Sequence, residues 1–299
     1  MKNKYIFFGD EASINFEIIE KSFFFLKKKV KYIICANLNT IQKEIEISNS
    51  KLDINEIIDP LNFNQVNPNK LNIFNINSGS NKFHNMISQL NICNYLCNKT
   101  KYDLVTMPIN KSIFKQKSNF VGLTEYFGKI NSTNTLMLMV GERFSILPIT
   151  THISLNEVCK NFKYKIDNFL KIFKKIDSNI NLLENFDQLI ILCINPHCGE
   201  NGFLGNEEKA LKSLTNKINF ASKKLLPADS AFNNLTRNPL YISGYHDQAL
   251  IPFKIMNKES FNLTLGLNYR RISPAHGTAK NIKNKNLADC TSYKRCMQI

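Results

Sequence analysis

The sequence predicts an α/β protein with a largely parallel sheet. Short apolar runs alternate along the chain with longer amphipathic segments, which is the pattern of repeated βα units. With 299 residues the chain is long enough for one large α/β unit or for two lobes. A hydrophobic content of 43% beside 21% charged residues is typical of a globular protein and excludes a disordered one.

The individual elements follow from this alternation. Apolar runs rich in Ile, Leu, Val and aromatic residues predict strands at 5–8, 32–35, 104–107, 136–140, 189–194 and 241–243. Amphipathic segments predict helices at 14–26, 41–47, 86–97, 155–176 and 207–219. Turn residues at 195–199 and 227–229 mark loops, and the Asn- and Lys-rich stretch 51–82 is predicted to be surface loop with little regular structure.

The loop after the first predicted strand excludes a conventional dinucleotide-binding fingerprint at that place. Gly9-Asp10-Glu11 is the nearest match to Gly-x-Gly-x-x-Gly, and it lacks the second and third glycines.

Charge and cysteine usage limit the function classes. The net charge of +15 comes from lysines that are spread along the whole chain among asparagines, without a recognisable nucleic-acid module. We therefore expect no nucleic-acid partner, although the charge can help attract an anionic substrate.

The eight cysteines include no Cys-x-x-Cys pair, and Cys35 and Cys193 lie within apolar strand-like runs. Free thiols in a reducing compartment are predicted.

No targeting or membrane-spanning segment is predicted. Its first apolar run is too short for a signal peptide, and no run approaches the roughly 18 to 20 apolar residues that a membrane helix needs. A cytoplasmic protein without a membrane partner is predicted.

Three of the five histidines stand where an apolar run gives way to a polar turn. They are His152, His197 and His246. Imidazoles at the carboxyl edge of a sheet can converge on one metal ion, and this pattern makes them candidate ligands. A lone histidine near a strand end is, however, usually an ordinary hydrogen-bonded side chain, and the spacing of the three matches no compact zinc motif.

Read together, nine short motifs resemble the 4-hydroxythreonine-4-phosphate dehydrogenase family of vitamin B6 biosynthesis, in the order in which that family carries them. The motifs are Pro108-Ile-Asn110-Lys111, Gly122-Leu-Thr124-Glu125, Thr150-Thr151-His152, Asn195-Pro-His197-Cys-Gly199-Glu200, Gly205-Asn-Glu207-Glu208, Leu226-Pro227-Ala228-Asp229, Tyr245-His246-Asp247-Gln248, Asn262-Leu-Thr264-Leu-Gly266-Leu267 and His276-Gly277-Thr278-Ala279.

The resemblance implies a fold similar to that of isocitrate and isopropylmalate dehydrogenases. Two α/β/α lobes with largely parallel sheets would surround a central cleft. The first lobe, on the cofactor side, would comprise residues 1–123 and 256–299. The second lobe, on the dimerisation and metal side, would comprise residues 124–255. A homodimer with each site at the subunit interface is implied.

The resemblance also implies an activity and the residues that support it. The expected reaction is the NAD-dependent oxidation and decarboxylation of 4-phosphooxy-L-threonine to 3-amino-2-oxopropyl phosphate, with NADP as the alternative cofactor. One divalent metal per subunit (zinc, magnesium, manganese or cobalt) would be held by His152, His197 and His246, the last from the neighbouring subunit. Implied substrate contacts are Thr124, Lys254, Asn262 and Arg271, with Leu123 at a further substrate position. Implied cofactor contacts are His276, Gly277, Thr278 and Asn286, and Asp247 and Lys254 are the catalytic candidates.

Each of these polar residues also has an ordinary structural interpretation. Lys254 and Arg271 could be solvated surface cations, and Asn262 could terminate a strand. Thr124 could cap the helix predicted to begin near residue 125, and Asp247 could cap the helix after its strand.

The chain departs from the family pattern at three places. Leu123 replaces a histidine that contacts substrate in relatives, and leucine cannot hydrogen-bond in its place. The loop at 9–15 lacks two glycines, and Ala275 replaces an aspartate. Asn284 and Asn286 stand where glycines usually follow, and asparagine tolerates left-handed backbone well enough to keep such a loop. These departures keep two rivals open: a dehydrogenase for another phosphorylated hydroxy acid, and a degenerate non-catalytic homologue.

Overall fold

The chain divides into two compact units. The structure, a computed structural model, describes residues 2–77, 81–115 and 120–299. Unit 1 comprises Met1–Gly122, Phe261–Leu263 and Leu267–Ile299, and unit 2 comprises Leu123–Ser260 and Thr264–Gly266. The lobe boundaries expected from the sequence, at residues 124 and 255, remain a prediction.

Unit 1 is built on a parallel sheet with the strand order β3-β4-β2-β1-β5-β12. Its strands are β1 (Lys2–Phe7), β2 (Val30–Ala36), β3 (Ile54–Glu56), β4 (Leu71–Asn75), β5 (Asp103–Thr106) and β12 (Arg271–Pro274). Its helices are α1 (Asn15–Leu26), α2 (Leu38–Ser48), α3 (Lys82–Thr100), α4 (Ser112–Lys115) and α10 (Thr291–Gln298). The central strand β1 is buried on both faces, which explains why residues 5–8 form a continuous apolar run.

The strands that lie wholly in unit 2 follow the order β6-β7-β10-β8-β9, and among these pairs only β6–β7 is antiparallel. Its strands are β6 (Leu136–Val140), β7 (Ser145–Pro148), β8 (Gln188–Leu192), β9 (Lys223–Leu226) and β10 (Pro239–Ser243). Its helices are α5 (Leu123–Ile130), α6 (Leu155–Cys159), α7 (Phe162–Ile180), α8 (Glu207–Lys217) and α9 (His246–Met256), and strand β11 (Phe261–Leu265) is divided between the units.

The expected α/β class with largely parallel sheets is confirmed, and each of the six predicted strands overlaps an observed one. None of the helices in residues 2–77, 81–115 and 120–299 is both long and apolar enough to cross a bilayer.

The prediction of a structureless loop at 51–82 was wrong. This stretch contains β3, a 3-10 turn at Phe63–Gln65 and β4, and α3 begins at its end. The strand was hidden because buried Leu71 and Ile73 alternate with asparagines. One of these, Asn72, is itself buried, and its amide donates to the carbonyls of Asn67 and Lys70 at 3.0 and 3.1 Å.

The single helix predicted at 155–176 is two helices. Helix α6 ends at Cys159, and Asn161 adopts a left-handed backbone (φ 53°) before α7 begins. Helix α7 then continues to Ile180, with its buried apolar residues at helical spacing. The apolar periodicity was correct, but it did not reveal the left-handed residue between the two helices.

The prediction of free thiols was wrong at one place. Cys193 and Cys198 form a disulfide across the turn that follows β8, with their Cα atoms 5.1 Å apart. Reversed chain direction brings Cys198 back to the strand end, which a five-residue spacing does not reveal. Cys35, Cys93 and Cys97 are buried free cysteines, and burial raises the pKa of the Cys93 and Cys97 thiols.

Candidate active site

The three candidate metal histidines follow three adjacent strands of unit 2. His152 comes after β7, His246 after β10 and His197 after β8, and the sheet order is β7-β10-β8. Because these strands are parallel, their carboxyl ends meet at one edge of the sheet. The topology therefore brings all three loops to the same edge.

Glu125 contacts the first of these histidines. Its Oε1 accepts a hydrogen bond from Nδ1 of His152 at 3.0 Å and another from the hydroxyl of Thr151 at 3.0 Å. Burial opposes ionisation of this carboxyl, but the hydrogen bond and attraction from His152 outweigh it and lower the Glu125 pKa to about 2. Glu125 is therefore a carboxylate at neutral pH.

His246 lies beside His152 in the same chain. The centroids of the two rings are 5.7 Å apart, and Nδ1 of His246 is 2.8 Å from Oδ1 of Asp247. Since a zinc–nitrogen bond is about 2.0 to 2.1 Å long, two rings that share one ion have centroids within roughly 6 to 7 Å of each other. A carboxylate at the other ring nitrogen is typical of histidines that bind metal. Imidazole nitrogens backed by carboxylates are donors of the kind that divalent ions such as zinc accept.

His197 is exposed and lies in a turn with an unusual backbone. The residues from His197 to Asn201 all have positive φ, between 43° and 75°. Oε1 of Glu208 accepts hydrogen bonds from the backbone N–H groups of Ile194 and Asn195, which fixes the start of this turn. In the described parts of the chain, no group of three or more His, Cys, Asp or Glu side chains is arranged to hold a metal ion.

The candidate substrate residues of unit 2 differ in burial. Thr124 is buried, and its hydroxyl lies 3.4 Å from that of Thr264. It is the second residue of α5 and not the N-cap considered from the sequence. Leu123, the first residue of that helix, is half-buried, whereas Lys254 is an exposed residue in the last turn of α9.

The candidate substrate residues of unit 1 are buried or half-buried. Arg271 is only 2% exposed, so it is not a solvated surface cation. Its Nε and Nη2 donate to the hydroxyl of Thr106 at 2.9 and 2.6 Å. Asn262 is half-buried, and its Oδ1 is a buried acceptor without a hydrogen-bond partner in the described structure.

The candidate cofactor residues lie in the loop after β12. Nδ1 of His276 donates to the carbonyl of Gly277 at 2.9 Å, and Nε2 is buried without a partner among the residues described. Burial lowers the His276 pKa, so the ring is neutral near pH 7. A Cβ placed on Gly277 would meet nothing within 4 Å, and the carbonyl of Thr278 accepts the backbone N–H of Ile14 at 3.2 Å.

A cavity of about 300 Å³ in unit 1 lies next to this loop. Asn284 and Asn286 contribute to its wall, and both have the left-handed backbone expected from the sequence, with φ of 61° and 57°. Lys283, on the same wall, contacts Glu44 Oε1 at 2.6 Å. The cavity therefore presents polar and charged groups beside the candidate cofactor segment.

Comparison with known proteins identifies the family. The profile of the pyridoxal phosphate biosynthetic protein PdxA matches residues 27–299. The chain belongs to the PdxA family. A 4-hydroxythreonine-4-phosphate dehydrogenase from Sulfurihydrogenibium sp. is 30% identical over 97% of this chain and 95% of its own length. The protein of that name from Campylobacter fetus subsp. fetus is 32% identical over 95% and 92%.

The solved structures agree with this assignment at the level of fold. The crystal structure of 4-hydroxythreonine-4-phosphate dehydrogenase from Klebsiella pneumoniae matches with a TM-score of 0.78 at 21% identity, covering 100% of this chain and 98% of that one. At this identity the likeness shows a shared PdxA fold.

Two contacts of this PdxA chain were not predicted from the sequence. Glu125 lies in a quoted motif, but nothing in the motif shows that its side chain reaches His152, 27 residues further along the chain. Thr106 is the last residue of β5, and its contact with Arg271 depends on the β5–β12 pairing. For the contact between Glu125 and His152, the only hint in the sequence was that Glu125 shares a motif with the candidate substrate residue Thr124. For the contact between Thr106 and Arg271, the sequence contained no hint.

Proposed function

We propose that the chain catalyses the NAD-dependent oxidation and decarboxylation of 4-phosphooxy-L-threonine to 3-amino-2-oxopropyl phosphate, a precursor of pyridoxine phosphate. The observation that carries the proposal is that His152, His197 and His246 all follow strands that end at one sheet edge in a chain of the PdxA family. Relatives that align with nearly the whole chain carry the name of this activity. We also propose that the reaction takes place in the cytoplasm.

Charge and hydrogen-bonding capacity support an anionic amino-acid substrate. Arg271 and Lys254 are two cations that can attract a carboxylate or a phosphate. Asn262 Oδ1, which lacks a partner in the described structure, can accept a hydrogen bond from the substrate's ammonium or hydroxyl group. The Thr124 hydroxyl is a further contact, and Leu123 can contribute only apolar surface.

His152, His197 and His246 would hold one divalent ion, with zinc, magnesium, manganese and cobalt as candidates. When bound, the ion supplies Lewis acidity that lowers the pKa of the substrate hydroxyl and polarises the ketone of the product.

The chain's own residues then have to move two protons. Asp247, which is exposed beside His246, is the candidate that accepts the proton of the substrate hydroxyl. Hydride passes to NAD from the carbon that bears this hydroxyl. The β-keto acid loses CO2, and its electron pair remains on the carbon that carries the amino group. That carbon must gain a proton, for which Lys254 is the candidate donor. The balance is one NADH and one CO2 for each substrate.

We assign the cofactor to the loop of unit 1 that contains His276, Gly277, Thr278 and Asn286, with NADP as the alternative to NAD. The neutral His276 ring presents Nε2 as a buried acceptor that has no partner in the described structure, so a hydroxyl or amino group of the cofactor can donate to it. The open space beside Gly277 leaves room for such a group.

We also propose a homodimer in which His246 completes the site of the partner subunit. Exposed apolar side chains follow each candidate ligand: Ile153 and Leu155 after His152, Phe203 and Leu204 after His197, and Ile251 and Ile255 after His246. Exposed apolar groups of this kind are typical of subunit interfaces.

A subunit-mixing experiment tests this dimer. Mixing His152→Ala with His246→Ala subunits should restore about a quarter of wild-type activity, since half of the dimers have one intact site out of two. If both variants are dimeric but their mixture recovers no activity, His152 and His246 of the same chain belong to one site.

A coupled assay tests the reaction itself. NADH formation should require 4-phosphooxy-L-threonine and a divalent metal, stop after treatment with a chelator, and return with Co²⁺ or Zn²⁺. His197→Ala should abolish turnover, whereas His84→Ala, at an exposed position on α3, should not change it. Turnover only with another phosphorylated hydroxy acid would support the first rival, and bound metal without any turnover would support a degenerate homologue.

A further inference from the structure

The carboxylate of Glu125 has two oxygens in different surroundings. Oε1 accepts hydrogen bonds from His152 Nδ1 and from the Thr151 hydroxyl, both at 3.0 Å. Oε2 is buried and has no hydrogen-bond partner in the described part of the chain. The carboxylate is thus directed at the loop that carries His152, although it belongs to α5, which begins the unit.

We infer that Glu125 is a positioning residue that fixes the tautomer and orientation of His152 for metal binding. An ionised carboxylate can only accept hydrogen bonds, so the nitrogen that faces it, Nδ1, must carry the proton. In a neutral ring the other nitrogen, Nε2, then has the lone pair that a metal ion requires. The inference rests on the proposed metal-dependent function, and it adds a residue that the histidine motifs do not contain.

The backbone that carries Glu125 is held firmly. Thr124, the residue before it, is buried, and its carbonyl accepts the hydroxyl of Thr135 at 3.1 Å. The Thr124 hydroxyl also lies 3.4 Å from that of Thr264. These contacts fix the first turn of α5, so the carboxylate is preorganised and its orientation does not depend on His152 alone.

The second histidine of the pair has a weaker version of the same contact. Asp247 faces Nδ1 of His246 at 2.8 Å, but its side chain is 71% exposed, compared with 36% for Glu125. Water competes more strongly for an exposed carboxylate. Glu125 should therefore constrain His152 more than Asp247 constrains His246.

The first test reads the ring directly in the metal-free protein. Nitrogen NMR of the histidine rings should find His152 protonated on Nδ1 in the wild type. Glu125→Met keeps the length of the side chain but removes the acceptor, so the proton should move to Nε2 in a large fraction of molecules. Glu125→Gln retains one acceptor oxygen and should preserve most of the Nδ1 form. The matched control is Thr151→Val, which removes the other donor to the same oxygen and should leave the tautomer unchanged.

The second test measures metal affinity from the visible spectrum of bound Co²⁺. Removal of a carboxylate partner of this kind typically weakens metal binding about 10- to 100-fold, and we expect Glu125→Met to fall in this range. Glu125→Gln should be intermediate, and Thr151→Val should stay within about twofold of the wild type. Unchanged far-ultraviolet circular dichroism and melting would show that each variant is folded.

The two tests separate this inference from the proposed function. An Nδ1-protonated His152 and unchanged Co²⁺ affinity in folded Glu125→Met would overturn the role of Glu125. A wild-type protein that binds no Co²⁺, but whose His152 tautomer still responds to Glu125→Met, would instead overturn the metal-dependent function and support the positioning contact.

Discussion

A buried charge network at the start of two strands of unit 1 allows a quantitative prediction. Asp103 begins β5, and its carboxylate contacts Lys4 Nζ at 2.6 Å and Arg270 Nε and Nη2 at 2.8 and 2.7 Å. The side chain of Lys4 is completely buried, and that of Asp103 is 8% exposed. Asp103→Asn keeps the shape of the side chain but removes the charge that both cations contact.

The expected loss of stability follows from this burial. Breaking a buried ion pair by removing one partner costs about 3 to 5 kcal/mol, because the remaining charge stays in a poorly solvated place. Arg270 is 43% exposed and should add little to that cost. For a domain of this size about 1 kcal/mol corresponds to a shift of roughly 2 to 4 °C in Tm, so unit 1 should melt roughly 6 to 20 °C lower.

The assay is thermal and urea unfolding of Asp103→Asn beside a matched control. Asp53→Asn removes the same group from an exposed pair, in which Lys70 Nζ lies 4.0 Å away and the side chains are 42% and 77% exposed. We expect the control to lose at most about 1 kcal/mol. Equal losses in the two variants would refute the reasoning. Because Arg270 precedes Arg271, a loosened network should also raise KM for the phosphorylated substrate.

Three further predictions concern the backbone, the substrate and pH. Gly9→Ala should destabilise unit 1 by about 1 to 2 kcal/mol, since Gly9 has φ +80° and an added Cβ would lie 2.5 Å from the carbonyl oxygen of Pro108. The measurement is urea unfolding, with Gly277→Ala as the control, because a Cβ added at Gly277 would meet no atom within 4 Å. Leu123→His should lower KM for 4-phosphooxy-L-threonine by about 10- to 100-fold, the equivalent of roughly 1.5 to 3 kcal/mol for a hydrogen bond to a charged group, and Leu123→Met should not. Burial lowers the pKa of His276 in the folded state, so its contribution to stability is present above the ordinary value of about 6.5 and is lost as the pH falls below it. His276→Gln should therefore flatten the profile of Tm against pH between about 6.5 and 5.

Each of these predictions has a result that contradicts it. Equal stability losses in the two glycine variants would mean that the backbone at Gly9 can relax. A KM that does not respond to histidine at 123 would place this side chain away from the substrate. If Tm depends on pH in the same way in His276→Gln and in the wild type, the His276 ring has the same pKa in the folded and unfolded chain.

The sequence predicted those features of the candidate site that depend on topology. His152, His197 and His246 were found because a strand end followed by a polar turn is visible in the sequence, and parallel pairing then brings such ends to one edge. The burial of Arg271 was not visible, because a cation at a strand start is usually solvated and only the β5–β12 pairing covers it. The contact between Glu125 and His152 depends on side-chain directions that no periodicity encodes.

The missed elements have a common physical origin in the lysine- and asparagine-rich composition. In β4, asparagine occupies positions between buried apolar residues, so the usual hydrophobic signal of a strand is diluted. The disulfide was missed for a different reason. It depends on the left-handed turn from His197 to Asn201, which reverses the chain within a few residues.

Asparagine also explains how several turns of this chain adopt left-handed backbone without glycine. Asn161, Asn181, Asn284 and Asn286 all adopt left-handed backbone at helix ends or in loops. A residue with a larger side chain would cost roughly 1 to 2 kcal/mol at such a position, whereas asparagine is tolerated there because its short polar side chain can hydrogen-bond locally. We therefore expect Asn286→Gly to leave stability nearly unchanged and Asn286→Val to lower it by about that amount. The same loop carries the candidate cofactor residues, so Asn286→Val should also weaken cofactor binding in a titration that follows NADH fluorescence. If Asn286→Val is clearly destabilised but still binds the cofactor tightly, the backbone at residue 286 does not contribute to the cofactor site.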